Sequence, residues 1–145
     1  MKHIVLETAC LRLELDRNGE VVSLYGKADG AEYLPAGQGA PLLSVRCGGE
    51  FERPSRLERH GDAIKLFFDR NQVEAEIKTT VTADHFSFEL VKISNRAKVE
   101  LVLWGPFPTT INETVGESVG ESVGVVRDRC FALGIQALNM KTLGG

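Results

Sequence analysis

Three histidines, His3, His60 and His85, are the side chains best suited to exchange protons near neutral pH. His3 lies in the N-terminal arm, and His60 and His85 each abut an expected turn, so solvent exposure at turns is their default. None stands in a Ser/His/Asp spacing or a metal-ligand spacing. Cys10, Cys47 and Cys130 are widely spaced and odd in number, with no Cys-x-x-Cys pair, and their apolar neighbours suggest buried, inert thiols. Paired carboxylates could hydrolyse a glycosidic bond if two acids faced each other across it, but the acids here alternate along strands as solvent-facing partners. Glu113, Glu117 and Glu121 recur at every fourth residue. Calcium needs oxygens converging on one point, whereas an i, i+4 row spreads them along steps of about 6 Å. No Gly-rich phosphate loop occurs. No catalytic residue, metal ligand or cofactor follows from these patterns.

Trp104 is different. It is the sole tryptophan, at the end of an apolar run and followed by Gly105-Pro106-Phe107-Pro108. The Gly-Pro break ends a strand, so at least one of the Trp104 and Phe107 rings should leave the core's alternation. A rigid aromatic at a rim offers its face to an apolar ligand surface at low entropy cost. Average burial favours the opposite role for Trp104, capping the core. Arg127 and Asp128 precede the last apolar run, where the arginine fork could donate to hydroxyls or to a partner carboxylate. Trp104, Phe107, Arg127 and Asp128 are therefore the candidate rim for a ligand or partner.

The elements that must position these residues read as strands. Leu11, Leu13 and Leu15 alternate with charged residues up to Asn18-Gly19, a hairpin signal, and Val21 to Tyr25 return. Residues 26–41 hold glycines and prolines and read as a loop. Further strands are expected over 42–46, 55–60, 63–68, 72–83, 86–93, 99–103 and 131–137. Gly48-Gly49, Gly61-Asp62 and Asp84-His85 are the turns. Phe86, Phe88 and Leu90 share a phase that Val91 and Ile93 do not, which predicts a β-bulge near Leu90-Val91. About ten short strands with close turns predict an all-β antiparallel sandwich. Its expected core is Val73, Ile77, Phe86, Phe88, Leu101, Leu103, Leu133 and Ile135. The segment NETV-GESV-GESV-GVVRD stands apart. A short helix near 111–123 would stack its valines and glutamates on separate stripes, opened by a capping box at Thr110. A surface loop lengthened by duplication fits equally well, because Gly116, Gly120 and Gly124 each disfavour a helix.

The chain has 145 residues, 43% of them hydrophobic and 26% charged, which suits one globular domain over 1–145. A net charge of −3 provides no basic footprint for nucleic acid. Arg53, Arg56, Arg59 and His60, interrupted by Glu52 and Glu58, read as a solvated strand edge. No apolar run approaches the roughly 20 residues of a membrane helix, and no secretory signal core is seen. Neither nucleic acid nor membrane is an expected partner.

Two segments carry a family resemblance. Gly19-Glu20-Val21-Val22-Ser23-Leu24 and Asp29-Gly30-Ala31-Glu32-Tyr33-Leu34 resemble the "G-x-V-x-S-L" strand and "D-G-x-E-Y-L" tail of N-terminal β-sandwich domains in bacterial glycoside-hydrolase-like proteins, the galactose-mutarotase-like supersandwich group. The later LVLWGPFPTTI and VGVVRDRCFALGIQALN are similar to segments of the same leading domains. A full supersandwich is larger than this chain, and its catalytic His/Glu motif has no counterpart here. The resemblance implies a supersandwich-like leading domain of a longer protein, packed against a catalytic domain and contributing rim contacts, with carbohydrate as a further partner. A small mutarotase or epimerase using His85 and a glutamate is the enzymatic alternative. A protein–protein interaction module is the other.

Overall fold

The computed structural model of the chain describes residues 3–118, 123–138 and 141–142. The described residues form fifteen strands, β1 to β15, and no helix. Every strand pairing is antiparallel. The protein is all-β and sandwich-like, as the alternation predicts. The chain divides into two compact units, Met1–Pro108 and Thr109–Gly145.

The first unit holds three sheets. One runs β1 (Ile4–Glu7), β2 (Leu11–Leu15), β3 (Glu20–Gly26) and β4 (Ala31–Glu32), with β5 (Ala40–Pro41) also pairing with β3. A second has the order β12 (Leu101–Trp104), β6 (Leu43–Cys47), β7 (Glu50–Glu52). The third has β11 (Phe86–Ile93), β10 (Val73–Val81), β9 (Ala63–Phe68) and β8 (Arg56–His60). Ile4, Leu6, Leu13, Leu15, Val21, Leu43, Val45, Leu57, Ile64, Leu66, Phe68, Val73, Ala75 and Ile77 are buried, each strand supplying alternate side chains. The sheets lock at the Asn18-Gly19 turn. Gly19 has φ +90, and an added Cβ would stand 2.5 Å from Leu66 of β9. Asp16 Oδ1 accepts from the N–H groups of Asn18 and Glu20 (2.8 and 3.0 Å), and the Gly19 carbonyl accepts from Leu42 N–H (3.1 Å).

The bulge falls where the phase slip predicts it. Leu90 opposes Ile77 and Lys92 opposes Glu76, so Val91 is the extra residue and Ile93 returns to the inward row opposite Ala75. From Arg56 on the basic stretch is a solvated edge, since β8 ends its sheet and Arg56, Arg59 and His60 are exposed, whereas Glu52 at its start is buried.

Several expectations are corrected. Val73 and Ile77 are core, but Phe86, Phe88 and Leu133 are only half-buried, and Leu101, Leu103 and Ile135 are exposed (42%, 37% and 45%). In β12 the pairing puts Val102 and Trp104 opposite buried Val45 and Leu43, so the inward row is the other one. The strand count exceeds ten because β1, β4, β5, β7, β13 and β14 add short pieces that alternation did not reveal.

The second unit carries one sheet, β13 (Thr114–Ser118), β14 (Val123–Arg127) and β15 (Ala132–Gln136). From Thr114 the described part of the repeat is thus strand, neither helix nor loop. Glycine at every fourth position undermines a helix, while β-branched valine suits a pleated ladder. Val119 and Glu121 of the repeat lie outside the described residues. The thiol expectation holds only for Cys47. All three cysteines are unpaired, and Cys10 and Cys130 are exposed because each occupies a turn.

Candidate functional site

Trp104 closes β12, the edge strand of its sheet, and Phe88 lies on β11, the edge strand of another. Their rings meet with centroids 6.3 Å apart and planes tilted by 34°, within the range of favourable aromatic pairs. Both rings are half-buried. Trp104 is therefore neither sealed in the core nor a free platform. It ends the inward row of β12 and leaves part of the indole at the surface.

The chain then turns at Gly105, which is buried and has φ +76. A Cβ there would meet the Phe107 ring at 2.9 Å and its backbone nitrogen at 2.8 Å. Glycine thus lets Phe107 fold back over Gly105. The Gly105-Pro106 peptide bond is cis. Phe88 and Trp104 form an aromatic rim of the first unit, and half-buried Phe107 follows three residues after Trp104.

Arg127 and Asp128 belong to the second unit. Arg127 ends β14 and is exposed. Asp128 Oδ1 accepts from the N–H groups of Cys130 and Phe131, both at 2.8 Å. That oxygen caps the turn into β15, a local role typical of aspartate.

The other candidate chemistry resolves into turns as well. His85 Nδ1 stands 2.7 Å from Asp84 Oδ1 and 2.9 Å from Thr82 Oγ1, all within one exposed turn. Hydrogen bonds from His85 and then Thr82, with the charge of His85, hold the Asp84 carboxyl below its ordinary value. His60 Nε2 lies 3.3 Å from Glu58 Oε2. That contact, followed by Arg56, lowers the Glu58 carboxyl. Among the described residues, no group of three or more His, Cys, Asp and Glu could hold a metal ion.

A cleft of about 350 Å³ opens over β3 and the 34–39 loop, lined by Glu20, Val22, Glu32, Leu34, Gln38 and Gly39. Its carboxylates are already engaged. Glu32 accepts from the Ser23 hydroxyl (2.6 Å) and from the N–H groups of Leu24 (2.7 Å) and Leu34 (3.1 Å). Glu20 pairs with Arg53 Nε at 3.0 Å. Tyr33 is buried and donates its hydroxyl hydrogen bond to Asp29, which lowers that carboxyl. The Asp29–Leu34 segment therefore fastens its own loop to β3. Glu32 stands in the D-G-x-E-Y-L tail, but its bonding role does not follow from that motif, because two of its three partners come from a strand eight and nine residues away.

No family model, no curated protein and no solved structure matches the chain.

Proposed function

We propose that this chain is a non-catalytic β-sandwich module of a carbohydrate-active enzyme, akin to the N-terminal domains of galactose-mutarotase-like glycoside hydrolases. Its role is to brace a catalytic domain and to contact carbohydrate at its surface. The observation that carries this reading is the aromatic rim. Two edge strands from different sheets meet through half-buried Phe88 and Trp104, and Phe107 packs against Gly105 just beyond them in the chain. Half-covered rings at strand edges are surface that gains by being covered further, at roughly 25 cal/mol per Å² of apolar area. The supersandwich motifs in the sequence supply the context. They concern fold more than ligand, since Glu32 spends its carboxylate on β3 and Tyr33 its hydroxyl on Asp29.

Polarimetry and fluorescence test this reading together. The purified chain leaves the mutarotation of freshly dissolved glucose and galactose at the buffer rate, and acrylamide quenches Trp104 to an intermediate degree. A protein-dependent rate abolished by His85→Ala would make the chain an epimerase instead. An indole wholly shielded from acrylamide, and unmoved by any oligosaccharide, would remove the rim as a contact surface.

A further inference from the structure

Among the described residues, β15 is an edge of the second unit's sheet and pairs on one side only, with β14. Just before the strand the Asp128 N–H donates to the Phe131 carbonyl (3.0 Å), so the ladder to β14 runs through Phe131, Leu133 and Ile135. Backbone groups of successive residues point to opposite sides of a strand. Ala132, Gly134 and Gln136 therefore aim their N–H and C=O groups at the open side. All three are exposed, and Ile135 between them is 45% exposed.

An open edge invites another strand, and proteins usually guard it with charge, proline or a bulge. Other edges of this chain carry such guards. β8 has Arg56, Glu58 and Arg59; β11 has Glu89, Lys92 and the bulge at Val91; β13 has Glu117 and a register shift. β12 is uncharged, but its Trp104 already packs on Phe88. β15 has no guard, for neither a charged residue nor a proline occurs from Cys130 to Met140.

We propose that β15 is a dimerisation edge, pairing antiparallel with β15 of a second copy of this chain about a two-fold axis at Gly134. The inference does not rest on the functional reading above. In that register Gly134 faces its own counterpart, Ala132 faces Gln136, and Leu133 faces Ile135. The open backbone groups of Ala132, Gly134 and Gln136 then form the hydrogen-bonded pairs, each exchanging both bonds. Leu133 and Ile135 fall in the non-hydrogen-bonded pairs, where side chains approach most closely. Val126 opposes Leu133 within each copy, so an apolar row of Val126, Leu133 and Ile135 crosses the junction. Any other centre leaves part of β15 without a partner. No like charges meet across the axis, and Gly134 places no side chain at it. A second copy fits better than a foreign strand because the match is the strand's own. The pairing also closes on itself, which yields a dimer and not a filament. It joins two thinly covered three-stranded sheets into one continuous sheet.

The test is sedimentation equilibrium of the intact chain from about 1 μM to about 1 mM, with isotope-filtered NMR on a mixture of labelled and unlabelled chains. The expected result is a reversible shift from 15.9 kDa to twice that mass, with intermolecular contacts between the Leu133 and Ile135 methyls. Gly134→Pro removes an N–H that faces the open side and leaves the ladder to β14 intact. Ile135→Lys sets a charge in the apolar row. Each variant, with a folded spectrum, should weaken dimerisation about tenfold or more. Val115→Lys, 66% exposed on the opposite edge strand, should not. Should either edge variant fail to fold, the wild-type contacts decide. A mass of 15.9 kDa at every concentration would overturn the proposal. So would a dimer without the Leu133–Ile135 contacts, or one that survives both folded edge variants, because it would use another surface.

Discussion

Glu52 is a buried carboxylate at 7% exposure whose oxygens serve a single turn. It accepts from Arg70 N–H (2.9 Å), Asn71 N–H (3.1 Å) and Asn71 Nδ2 (2.7 Å), just before Gln72 with its positive φ of 56. Glu52→Ala would orphan these donors and should cost about 2–3 kcal/mol; Glu52→Gln, which keeps an acceptor oxygen, should cost less. Urea unfolding checks both, and an unchanged midpoint for the alanine variant would contradict the assignment. Asp29 and Asp84 are exposed carboxyls held below the ordinary aspartate value of 3.8, by Tyr33 and by His85 respectively. A depressed folded-state pKa contributes stability that is present above the unfolded value and lost as pH falls through the folded one. Their contribution therefore disappears only below about pH 4. Carbon-detected NMR titration should show Asp29 rising toward 3.8 in Tyr33→Phe, and Asp84 rising in His85→Ala. Unmoved values would refute these hydrogen bonds. At this scale the sequence was legible where the partner is local, as at the Asp84-His85 turn. It was silent for Glu52, whose partners Arg70 and Asn71 come from a turn between two strands of another sheet.

Hairpin chemistry decides the elements, and Asn18-Gly19 is the clearest case. Gly19→Ala combines a left-handed backbone with a Cβ driven toward Leu66 at 2.5 Å, in the best-packed part of the first unit. The expected loss is roughly 1–3 kcal/mol, visible as a lowered melting temperature by circular dichroism; a melting temperature equal to wild type would mean that the turn is not as described. This turn, β10 and the bulge at Val91 were all readable from alternation, because apolar and charged residues take turns there. In β12 they do not. Leu101, Val102, Leu103 and Trp104 are apolar on both faces, so the pattern could not say which row points inward; pairing with β6 does. The GESV repeat was ambiguous for another reason. Four residues is close to one helical turn and is also an even number, so it keeps valine on one side in a helix or a strand alike. Glycine and β-branching favour the strand.

The described buried apolar side chains, with the single exception of Ile111, lie in the unit Met1–Pro108. Residues 1–108 alone should therefore unfold cooperatively in urea, and a truncated chain without a cooperative transition would contradict this. In the second unit the described strand residues Val123, Val125, Val126 and Leu133 are at most half-buried. A three-stranded sheet so thinly covered is marginal in isolation. The fold class was legible at this scale because period-2 alternation is a property of the whole chain. The division into units was not, because the apolar content of 109–137 resembles that of the strands before it. The central claim, that this chain braces a larger carbohydrate-active enzyme, concerns the size of the native polypeptide. Immunoprecipitation from the source cells with an antibody raised against this chain, followed by mass spectrometry, measures that size directly. The account predicts a species far heavier than 15.9 kDa, with peptides continuing beyond Gly145 into a sequence bearing paired catalytic acids. A native species of 15.9 kDa that ends at Gly145 would contradict it.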